Sequence, residues 1–358
     1  MRIVFDLDDT ISRHTNRDYP NAEPMQAVIS RMRELRDKMP DCTIVINTAR
    51  GMNSCKGDTK LAEERNRPTV EAWLAKHGVP YDEIVFGKPL GDAYVDDKSI
   101  SVEEFEACGV SVLRGGFSGA SVCRLGRIVV KECSDAPQVT DWYRKAEKLP
   151  FLGTVTFPRL LSNQLGKLYL RYQDGRTFDS MTNDELAGGG WVTRAALALR
   201  AFAGIAEDGE PNDVALYCEY LKEKGTEVGV ETDILCAEVM KYERILSRRT
   251  FCHGDFSTMN LLVTRGCEMC AIDPHWEKYV RSYLTDGAKF LACLYGLEAV
   301  LTGNGSDRAS LVGKFLSCFT PEESCAMLAM ERTMVLRVMP YALKNRRLSV
   351  LSALGRMV

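Results

Sequence analysis

The stretch Thr250-Phe-Cys-His-Gly-Asp-Phe-Ser-Thr-Met-Asn-Leu-Leu-Val263, followed by Ile272-Asp273-Pro274, decides the fold of the second half of this 358-residue chain. The apolar end of the first stretch is typical of a strand, and residues 269–272 are typical of a second strand. These strands would bring Asp273 to the loop that carries Asp255 and Asn260. A buried hairpin with incidental polar residues is the alternative, although buried Asp and Asn side chains without partners are costly.

The chemistry that these three polar residues suit is phosphoryl transfer. Such transfer needs an acidic residue beside the acceptor hydroxyl, while an amide and a second carboxylate hold Mg²⁺. The pattern His-Gly-Asp-x4-Asn, with an Ile-Asp pair after it, resembles the aminoglycoside phosphotransferase and choline kinase superfamily. The resemblance implies an α+β bilobal kinase-like domain that uses ATP and Mg²⁺ on a small hydroxyl acceptor. It implies Asp255 as the residue that orients the acceptor, and Asn260 and Asp273 as metal ligands.

A kinase-like domain predicts a glycine-rich loop and a lysine upstream, and residues 110–132 contain both. Glycines between two strands let backbone N–H groups approach phosphates closely. The candidate phosphate-binding residues of this loop are Gly115, Gly116, Ser118 and Gly119. Lys131 ends an apolar run, where it would pair with the nucleotide phosphates. A plain hairpin turn is the alternative, but the position of these segments before His253 favours the loop.

Two further segments are candidates for nucleotide binding. Glu147, in the helical stretch 139–149, is the expected partner of Lys131, although it also fits a solvated helix charge. The segment Leu168-Tyr-Leu-Arg-Tyr-Gln-Asp-Gly175 is typical of the last strand of a small lobe that runs into a hinge. Backbone groups of Arg171, Tyr172 and Gln173 would then meet the adenine.

The chain opens with a different pattern, Met1-Arg-Ile-Val-Phe-Asp6-Leu-Asp8-Asp9-Thr10, in which an apolar strand ends in Asp-x-Asp-x-Thr. Clustered carboxylates at a strand end are costly unless a cation neutralises them. The pattern resembles the first motif of the haloacid dehalogenase superfamily of phosphatases. The resemblance implies that Asp6 attacks phosphorus to form an aspartyl-phosphate and that Asp8 protonates the leaving oxygen. It also implies both residues in the Mg²⁺ site.

Three further segments follow in that family's order: Thr43-Ile-Val-Ile-Asn-Thr48-Ala-Arg-Gly51, Phe86-Gly-Lys88-Pro89 and Ala93-Tyr-Val-Asp96-Asp97. Open α/β sheets bind ligands at the carboxyl ends of their strands, so these polar groups would converge. Thr48 would hydrogen-bond phosphoryl oxygens and Lys88 would offset their charge. Asp96 and Asp97 would complete the Mg²⁺ site. One such segment fits any strand–turn junction, whereas four in order favour an α/β, Rossmann-like parallel-sheet phosphatase domain.

The substrate class is indicated by a narrower resemblance. Residues 18–22, with Thr48-Ala-Arg-Gly-Met52 and Gly87-Lys-Pro, are similar to small family members associated with bacterial surface-polysaccharide gene clusters. The connections 11–43 and 50–83 each hold little more than one helix, so no sizeable cap domain is expected. The resemblance implies a phosphomonoester of a sugar, polyol or amino alcohol as substrate.

Composition supports two globular domains in a reducing compartment. A hydrophobic content of 45% is enough for two cores, and a net charge of −3 with a pI of 6.0 argues against a nucleic-acid surface. We expect no signal peptide, because the first residues lead straight into the strand that ends at Asp6, and no membrane span, because no run of about 18 apolar residues occurs. The 13 cysteines lack framework spacing, so free thiols in the cytoplasm are expected.

The expected boundary lies near residue 110, with the phosphatase domain over 1–109 and the kinase domain over 110–358. The N-lobe would cover 110–173 and the C-lobe 174–358, where apolar spacing predicts helices over 183–206, 212–224, 234–246, 282–301 and 321–339. The triplet Gly188-Gly-Gly190 would mark a helix boundary inside the first of these.

The sequence therefore predicts a bifunctional phosphatase and kinase acting on small metabolites. A nucleotide-sensing module that controls one active half is an alternative. A nucleic-acid end-healing enzyme is disfavoured, because the chain lacks a Gly-x4-Gly-Lys-Ser/Thr loop and a basic groove.

Overall fold

The computed structural model describes residues 1–13, 18–88, 99–113, 121–132, 134–149, 155–164, 166–302, 308–345 and 347–358. The described chain forms two compact units. The first comprises the described residues up to 132 together with Tyr169–Tyr172, and the second comprises 134–168 and 173–358. The predicted boundary near residue 110 stays a prediction.

Helices and strands alternate in the first part of the chain, and helices predominate in the later part. In chain order they are β1 (Arg2–Asp6), α1 (Gln26–Lys38), β2 (Thr43–Thr48), α2 (Thr59–His77), β3 (Glu83–Phe86), α3 (Val102–Cys108), β4 (Val110–Leu113), β5 (Val122–Leu125), β6 (Ile128–Glu132), α4 (Ala136–Ala146), β7 (Leu160–Gln164), β8 (Lys167–Arg171), β9 (Gly175–Thr177), α5 (Asn183–Gly188), α6 (Trp191–Ala203), α7 (Val214–Val228), α8 (Asp233–Met240), α9 (Glu243–Leu246), β10 (Leu261–Thr264), β11 (Met269–Ala271), α10 (Tyr283–Leu294), α11 (Leu297–Thr302), α12 (Val312–Leu316), α13 (Pro321–Lys344) and α14 (Leu348–Gly355).

A parallel sheet of order β1-β2-β3 forms the centre of the first unit. Asp6 lies opposite Asn47, and Thr48 lies opposite Phe86, so the carboxyl ends of the three strands share one edge. One face of the sheet packs against the buried sides of α1, α2 and α3. Trp73 of α2 is buried there and donates from Nε1 to the carbonyl oxygen of Ala22 at 2.8 Å. The arrangement is compatible with the predicted Rossmann-like sheet.

The first unit also contains the antiparallel strands β4, β5 and β6. Gly109, which caps α3, has a φ of 54° that turns the chain directly into β4. The backbone N–H of Tyr172, just beyond β8, donates to the carbonyl oxygen of Arg127 at 2.7 Å. This hydrogen bond fixes the end of β8 beside the turn that precedes β6.

Helices occur in all five segments where the sequence predicts them, and glycines divide two of them. Gly190, with a φ of 68°, separates α5 from α6, as the glycine triplet predicts. The predicted helix 282–301 is two helices, α10 and α11, because Gly296 between them has a φ of 99°. A left-handed residue cannot continue a right-handed helix, so the chain changes direction there.

Helix α10 is the central helix of the second unit. Eleven of its twelve residues are buried, and Lys289 alone is partly exposed. It packs against α13, which begins with a capping box formed by Thr320 and Glu323. Gly287 lets α13 approach closely, since a Cβ atom at that position would lie 2.1 Å from Sδ of Met327. This packing fixes the helix that contacts the candidate site.

In the part of the chain that the structure describes, no helix has both the length and the apolar character that crossing a membrane requires.

Candidate functional site

The two predicted strands after the His-Gly-Asp loop are present as β10 and β11. They pair antiparallel with Leu261 opposite Ala271, and the backbone N–H of Ile272 donates to the carbonyl oxygen of Asn260 at 2.8 Å. Asn260 and Asp273 therefore lie at the same open end of the hairpin. Asp273 has a φ of 60°, a left-handed conformation that Asp tolerates better than most residues and that is common at functional sites.

The loop between Asp255 and Asn260 is closed by the asparagine amide. Nδ2 of Asn260 donates to the backbone carbonyl of Asp255 at 3.0 Å and to Oδ2 of the same residue at 2.8 Å. The amide nitrogen is therefore committed to the loop. The remaining polar atom of the side chain, the amide oxygen Oδ1, is of the type that Mg²⁺ prefers, so the predicted role of Asn260 as a metal ligand would fall on Oδ1.

The second carboxylate oxygen of Asp255 faces a lysine that the sequence analysis did not select. Nζ of Lys289 lies 3.2 Å from Oδ1 of Asp255, and the two side chains are 17% and 37% exposed. Burial favours the neutral acid, but the positive charge of Lys289, assisted by His253, holds the pKa of Asp255 below its ordinary value. Both oxygens of Asp255 are thus held by named partners, and the carboxylate is ionised at neutral pH.

Helix α10 also holds the backbone of the loop. Oδ2 and Oδ1 of Asp286 accept from the N–H groups of His253 at 2.5 Å and Gly254 at 2.7 Å. Burial raises the pKa of Asp286 to about 8, while these two N–H donors favour its charged form. Asp286 lies one turn before Lys289, so one face of α10 contacts both the backbone and the carboxylate of the loop.

The loop is anchored from α11 as well. Oε1 of Glu298 accepts from the N–H of Met259 at 3.1 Å, and its Oε2 contacts Oγ1 of Thr258. Burial raises the pKa of Glu298 to about 7. Two consecutive helices therefore fix the segment on both sides of Asp255.

The ring of His253 is a packing group of the second unit. It is fully buried and contacts Trp142 at 5.6 Å and Phe256 at 5.9 Å between ring centroids. Trp142 of α4 also donates from Nε1 to the carbonyl of Cys252 at 2.7 Å. The aromatic cluster supports the residues that lead into the loop.

Gly254 is required by both its conformation and its surroundings. Its φ is 83°, and a Cβ atom there would lie 2.0 Å from the carbonyl oxygen of His275. The backbone of His275 is itself held by a 2.9 Å hydrogen bond to the carbonyl of His253. No side chain fits between these two backbone segments.

We expect Gly254→Ala to lower the free energy of unfolding by at least about 3 kcal/mol, through left-handed strain and a backbone clash together. Gly229→Ala is the matched control, because Gly229 has a φ of 73° and nothing within 4 Å of the added Cβ. Left-handed strain alone should lower the free energy of unfolding of Gly229→Ala by about 1 kcal/mol. Urea unfolding measures both values. Equal losses in the two variants would show that the close approach to His275 has no energetic effect.

The segment after Asp273 is fixed by two buried ion pairs. Arg281 binds Glu207 through Nε at 2.8 Å and Nη2 at 3.0 Å, and its guanidinium lies 3.9 Å from the centroid of Trp276. Arg337 binds Glu277 at 2.8 Å. Pairing of this kind makes buried charges tolerable and fixes the chain between the hairpin and α10.

The other predicted nucleotide-binding residues are placed only in part. The glycine-rich loop, with Gly115, Gly116, Ser118 and Gly119, lies outside the described residues. Lys131 lies on β6 opposite Val122, and Glu147 is exposed at the carboxyl end of α4.

The predicted hinge lies at the end of β8. Arg171 is exposed, and the ring of Tyr172 lies 3.6 Å from the guanidinium carbon of Arg124. The backbone N–H of Tyr172 donates to the carbonyl oxygen of Arg127. Gln173 is the next residue after Tyr172. The roles of these residues in binding adenine stay predictions.

A second group of candidate residues from the sequence lies at the carboxyl edge of the parallel sheet. Lys88 contacts Oδ2 of Asp6 through Nζ, and the N–H of Leu7 donates to Oδ1 of Asp6 at 2.8 Å. The backbone N–H of Lys88 donates to the carbonyl of Thr48 at 3.3 Å, and the Thr48 side chain is fully buried. The structure thus brings Asp6, Thr48 and Lys88 together. Asp96 and Asp97 lie outside the described residues.

Asp8 is held by Arg50, a residue to which the sequence analysis gave no role. Nε of Arg50 lies 3.0 Å from both oxygens of Asp8, and Nη2 lies 2.8 Å from Oδ1. The Arg50 side chain is only 1% exposed and packs at 4.4 Å over the ring of Tyr19. Ser12 donates to Oδ1 of Asp8 at 3.4 Å. A buried, bidentate guanidinium gives the Asp8 carboxylate a defined orientation.

The donor sets fit Mg²⁺ chemically. Each set offers carboxylate or amide oxygens, which are the ligands that Mg²⁺ takes, usually alongside water and phosphate oxygens. Among the described residues no three His, Cys, Asp or Glu side chains form a metal-binding group. Each set contains two predicted ligands among the described residues: Asn260 and Asp273 in one, Asp6 and Asp8 in the other.

No protein-family model matches the chain, and no curated protein matches it. Among solved structures, the chain is similar to a target protein from Vibrio cholerae, with 36% identity over 30% of this chain and 87% of that chain and a TM-score of 0.28. It is similar to the aminoglycoside phosphotransferase APH(4)-Ia, with 13% identity over 72% of this chain and 94% of that chain and a TM-score of 0.47. It is also similar to a Plasmodium vivax ethanolamine kinase, with 9% identity over 72% of this chain and 82% of that chain and a TM-score of 0.45.

Proposed function

We propose that the second unit transfers the terminal phosphoryl group of ATP to a hydroxyl group of a small molecule. The observation that carries the proposal is the fixed, ionised carboxylate of Asp255 beside Asn260 and Asp273. A carboxylate held on both oxygens is suited to orient an acceptor hydroxyl and to accept its proton. A purely structural role of Asp255 would not explain why Oδ1 of Asn260 lies at the same end of the hairpin as Asp273.

The proposed roles follow from which atoms are already engaged. Asp255 orients the acceptor, while Oδ1 of Asn260 and the carboxylate of Asp273 would hold Mg²⁺. Bound Mg²⁺ would neutralise charge on the nucleotide phosphates. Asp286 and Glu298 keep the loop rigid through its backbone N–H groups, so that the reacting groups are aligned before the substrates arrive.

Acceptor-dependent ADP formation tests this proposal. Purified protein with Mg-ATP is offered free sugars, polyols and amino alcohols, and a true acceptor increases ADP formation in proportion to the phosphorylated product. A nucleotide sensor, the main alternative, would bind Mg-ATP without steady turnover. Nucleotide binding without turnover across the acceptor panel would favour that alternative.

We further propose that the first unit is a Mg²⁺-dependent phosphatase for phosphomonoesters. The specific observation in favour is the contact of Lys88 with Asp6 at the strand edge, next to the buried Thr48. Lys88 and Thr48 would bind phosphoryl oxygens while Asp6 attacks phosphorus. The bond to the leaving oxygen breaks as the bond between Asp6 and phosphorus forms, and Asp8, in the protonated form that this step requires, gives its proton to that oxygen. Water then attacks the aspartyl-phosphate and releases phosphate and the Asp6 carboxylate, while a proton of that water returns to Asp8.

Arg50 gives this proposal its own test. In Arg50→Met the Asp8 carboxylate loses its bidentate partner, so we expect phosphate release from alkyl phosphates to fall about 10- to 100-fold. An activated aryl phosphate needs less protonation and should lose less. Arg2→Met is the control, because Arg2 is 52% exposed and pairs with Glu83 at the opposite end of the sheet. An equal loss for both substrate types would contradict a role of Arg50 through Asp8.

The presence of two opposing activities in one chain restricts the range of candidate substrates. If the kinase site phosphorylated and the phosphatase site dephosphorylated the same position of one compound, the net reaction would be ATP hydrolysis alone. We infer that the two sites act on different positions or on different metabolites, and we propose sugars, polyols or amino alcohols and their phosphates as the compounds. Surface-polysaccharide precursor synthesis is a pathway of this type.

A further inference from the structure

A groove with a volume of about 850 Å³ lies in the second unit, between α8, α13 and the residues that follow α10 and α14. Three exposed apolar or aromatic side chains line it: Ile234 of α8, which is 79% exposed, Tyr295 after α10, and Leu328 of α13. They come from three different elements and meet on one concave surface. Small-molecule sites have volumes of roughly 300–1,000 Å³ and mostly apolar walls with a few polar groups. The groove therefore has the size and the lining of a ligand site.

The polar group that distinguishes this groove is the carboxylate of Glu331. Glu331 lines the groove and is only 8% exposed. Within the ranges that the structure describes, no hydrogen bond or ion pair holds this carboxylate, and burial raises its pKa to about 7 against the opposing charge of Arg332. A buried carboxylate without a partner costs free energy, and a neutral side chain of similar size would avoid that cost. The unmatched charge indicates a cation that binds from the groove, which we call the Glu331 groove.

The other charged groups leave Glu331 as the acceptor for such a cation. Glu238 already pairs with Lys241, and Oε1 of Glu231 accepts from two backbone N–H groups. Three carboxylates and one guanidinium line the groove, so its charge is negative. The titratable and charged side chains that line it besides Glu331 are Glu231, Glu238, Tyr242, Tyr295, Cys325 and Arg332.

The Glu331 groove is lined by none of the residues placed above in the transfer site. Lys289 marks the face of α10 that contacts Asp255, and Tyr295 lies six residues later at the end of the same helix. Six residues correspond to a rotation of about 120° around the helix axis in either sense. Tyr295 therefore faces away from the Asp255 loop. An inference about this groove does not depend on the proposed kinase or phosphatase function.

We propose that the Glu331 groove binds a small organic amine, with the ammonium group paired to Glu331 and the hydrocarbon body against Ile234, Leu328 and the ring of Tyr295. A carboxylate is a strong acceptor for an ammonium group, and the face of a tyrosine ring also attracts one. An anion would be repelled by the carboxylates. A neutral alcohol would leave the charge of Glu331 unmatched, and a hydrated metal ion would gain nothing from the apolar walls.

Three probes of equal length test the proposal on the intact protein. NMR titrations with n-hexylamine, n-hexanol and n-hexanoate, at pH 8 and constant ionic strength, measure the three affinities. We expect hexylamine to bind at least about tenfold more tightly than hexanol, and hexanoate to bind more weakly than either. Absence of hexylamine binding, or equal affinities for hexylamine and hexanol, would overturn the proposal.

Variants locate the amine in the groove. Glu331→Gln removes the charge, and Ile234→Arg adds a positive charge at a residue exposed enough to leave folding intact, so each should weaken hexylamine binding at least about tenfold. The matched controls are Glu322→Gln, at an exposed residue of α13 paired with Arg244, and Leu216→Arg, at an exposed residue of α7. Both controls should bind like wild type. Equal affinity in all five proteins would place the amine elsewhere and refute the proposal.

Thermal unfolding separates a ligand-binding glutamate from a structural one. Burial raises the pKa of Glu331, so its charge destabilises the folded protein above the ordinary pKa, and the penalty grows until the pH passes about 7. At pH 8 we therefore expect Glu331→Gln to unfold at the same or a higher temperature than wild type. Hexylamine should raise the unfolding temperature of wild type and leave that of Glu331→Gln unchanged. A lower unfolding temperature of Glu331→Gln without ligand, or an equal response of both proteins to hexylamine, would contradict the proposal.

Discussion

Replacing Asp255 by asparagine is expected to reduce acceptor-dependent ADP formation by about 10³-fold or more, because the neutral amide cannot accept the acceptor proton. The shape of the side chain is kept, and Asn260 and Lys289 remain in place. Binding of Mg-ATP should therefore be nearly unchanged. Steady-state kinetics measures the loss of transfer, and calorimetry measures nucleotide binding.

The matched comparison for Asp255→Asn is Asp273→Ala, which should abolish Mg²⁺-dependent nucleotide binding. Asp273 lies one residue beyond the hydrogen bond between Ile272 and Asn260, so both proposed metal ligands depend on the same hairpin end. Asp174→Asn, at an exposed residue paired with Arg265, should change neither property. Loss of nucleotide affinity in Asp255→Asn with none in Asp273→Ala would invert the two roles.

Asp6→Asn is expected to lower phosphate release by several orders of magnitude, since the substitution removes the attacking charge and keeps the shape. The N–H of Leu7 still has an oxygen to bind in this variant, so the strand end should stay folded. Colorimetric phosphate assays with a good substrate measure the loss, and thermal unfolding confirms that the protein is intact. Asp37→Asn, at an exposed residue of α1, is the control. Near-normal phosphate release by Asp6→Asn would exclude Asp6 as the nucleophile.

The local framework of both sites could be predicted because short-range patterns determine it. The strand that ends at Asp6, the hairpin that presents Asn260 and the helix break at Gly190 follow from apolar runs and glycines. The break at Gly296 was missed, since one glycine inside a periodic apolar pattern does not by itself show a positive φ. Only the fold of the surrounding chain requires that conformation.

The residues that pair with the two candidate carboxylates, Asp255 and Asp8, could not be predicted from the same short-range patterns. Lys289 lies 34 residues after Asp255, and Arg50 lies 42 residues after Asp8, so each contact depends on tertiary packing. A signal existed in both cases. Asp286 and Lys289 are the two charged residues of α10 and lie three positions apart, and Arg50 lies two residues after Thr48 within the same motif. Polar residues on a buried helix face indicate a function that packing alone does not explain.

The central claim is that one chain contains two independent sites of phosphoryl chemistry. Phosphorus NMR of one set of reactions tests this claim most directly. Wild type, Asp255→Asn and Asp6→Asn are each given Mg-ATP with free acceptors, and separately a panel of sugar, polyol and amino-alcohol phosphomonoesters that differ in the phosphorylated position. The account predicts acceptor-dependent ADP and a new phosphomonoester with wild type and Asp6→Asn only. It predicts hydrolysis of a phosphomonoester other than the product of the transfer, with wild type and Asp255→Asn only. Loss of both reactions in either variant, or formation and hydrolysis at the same oxygen of the same molecule, would contradict it.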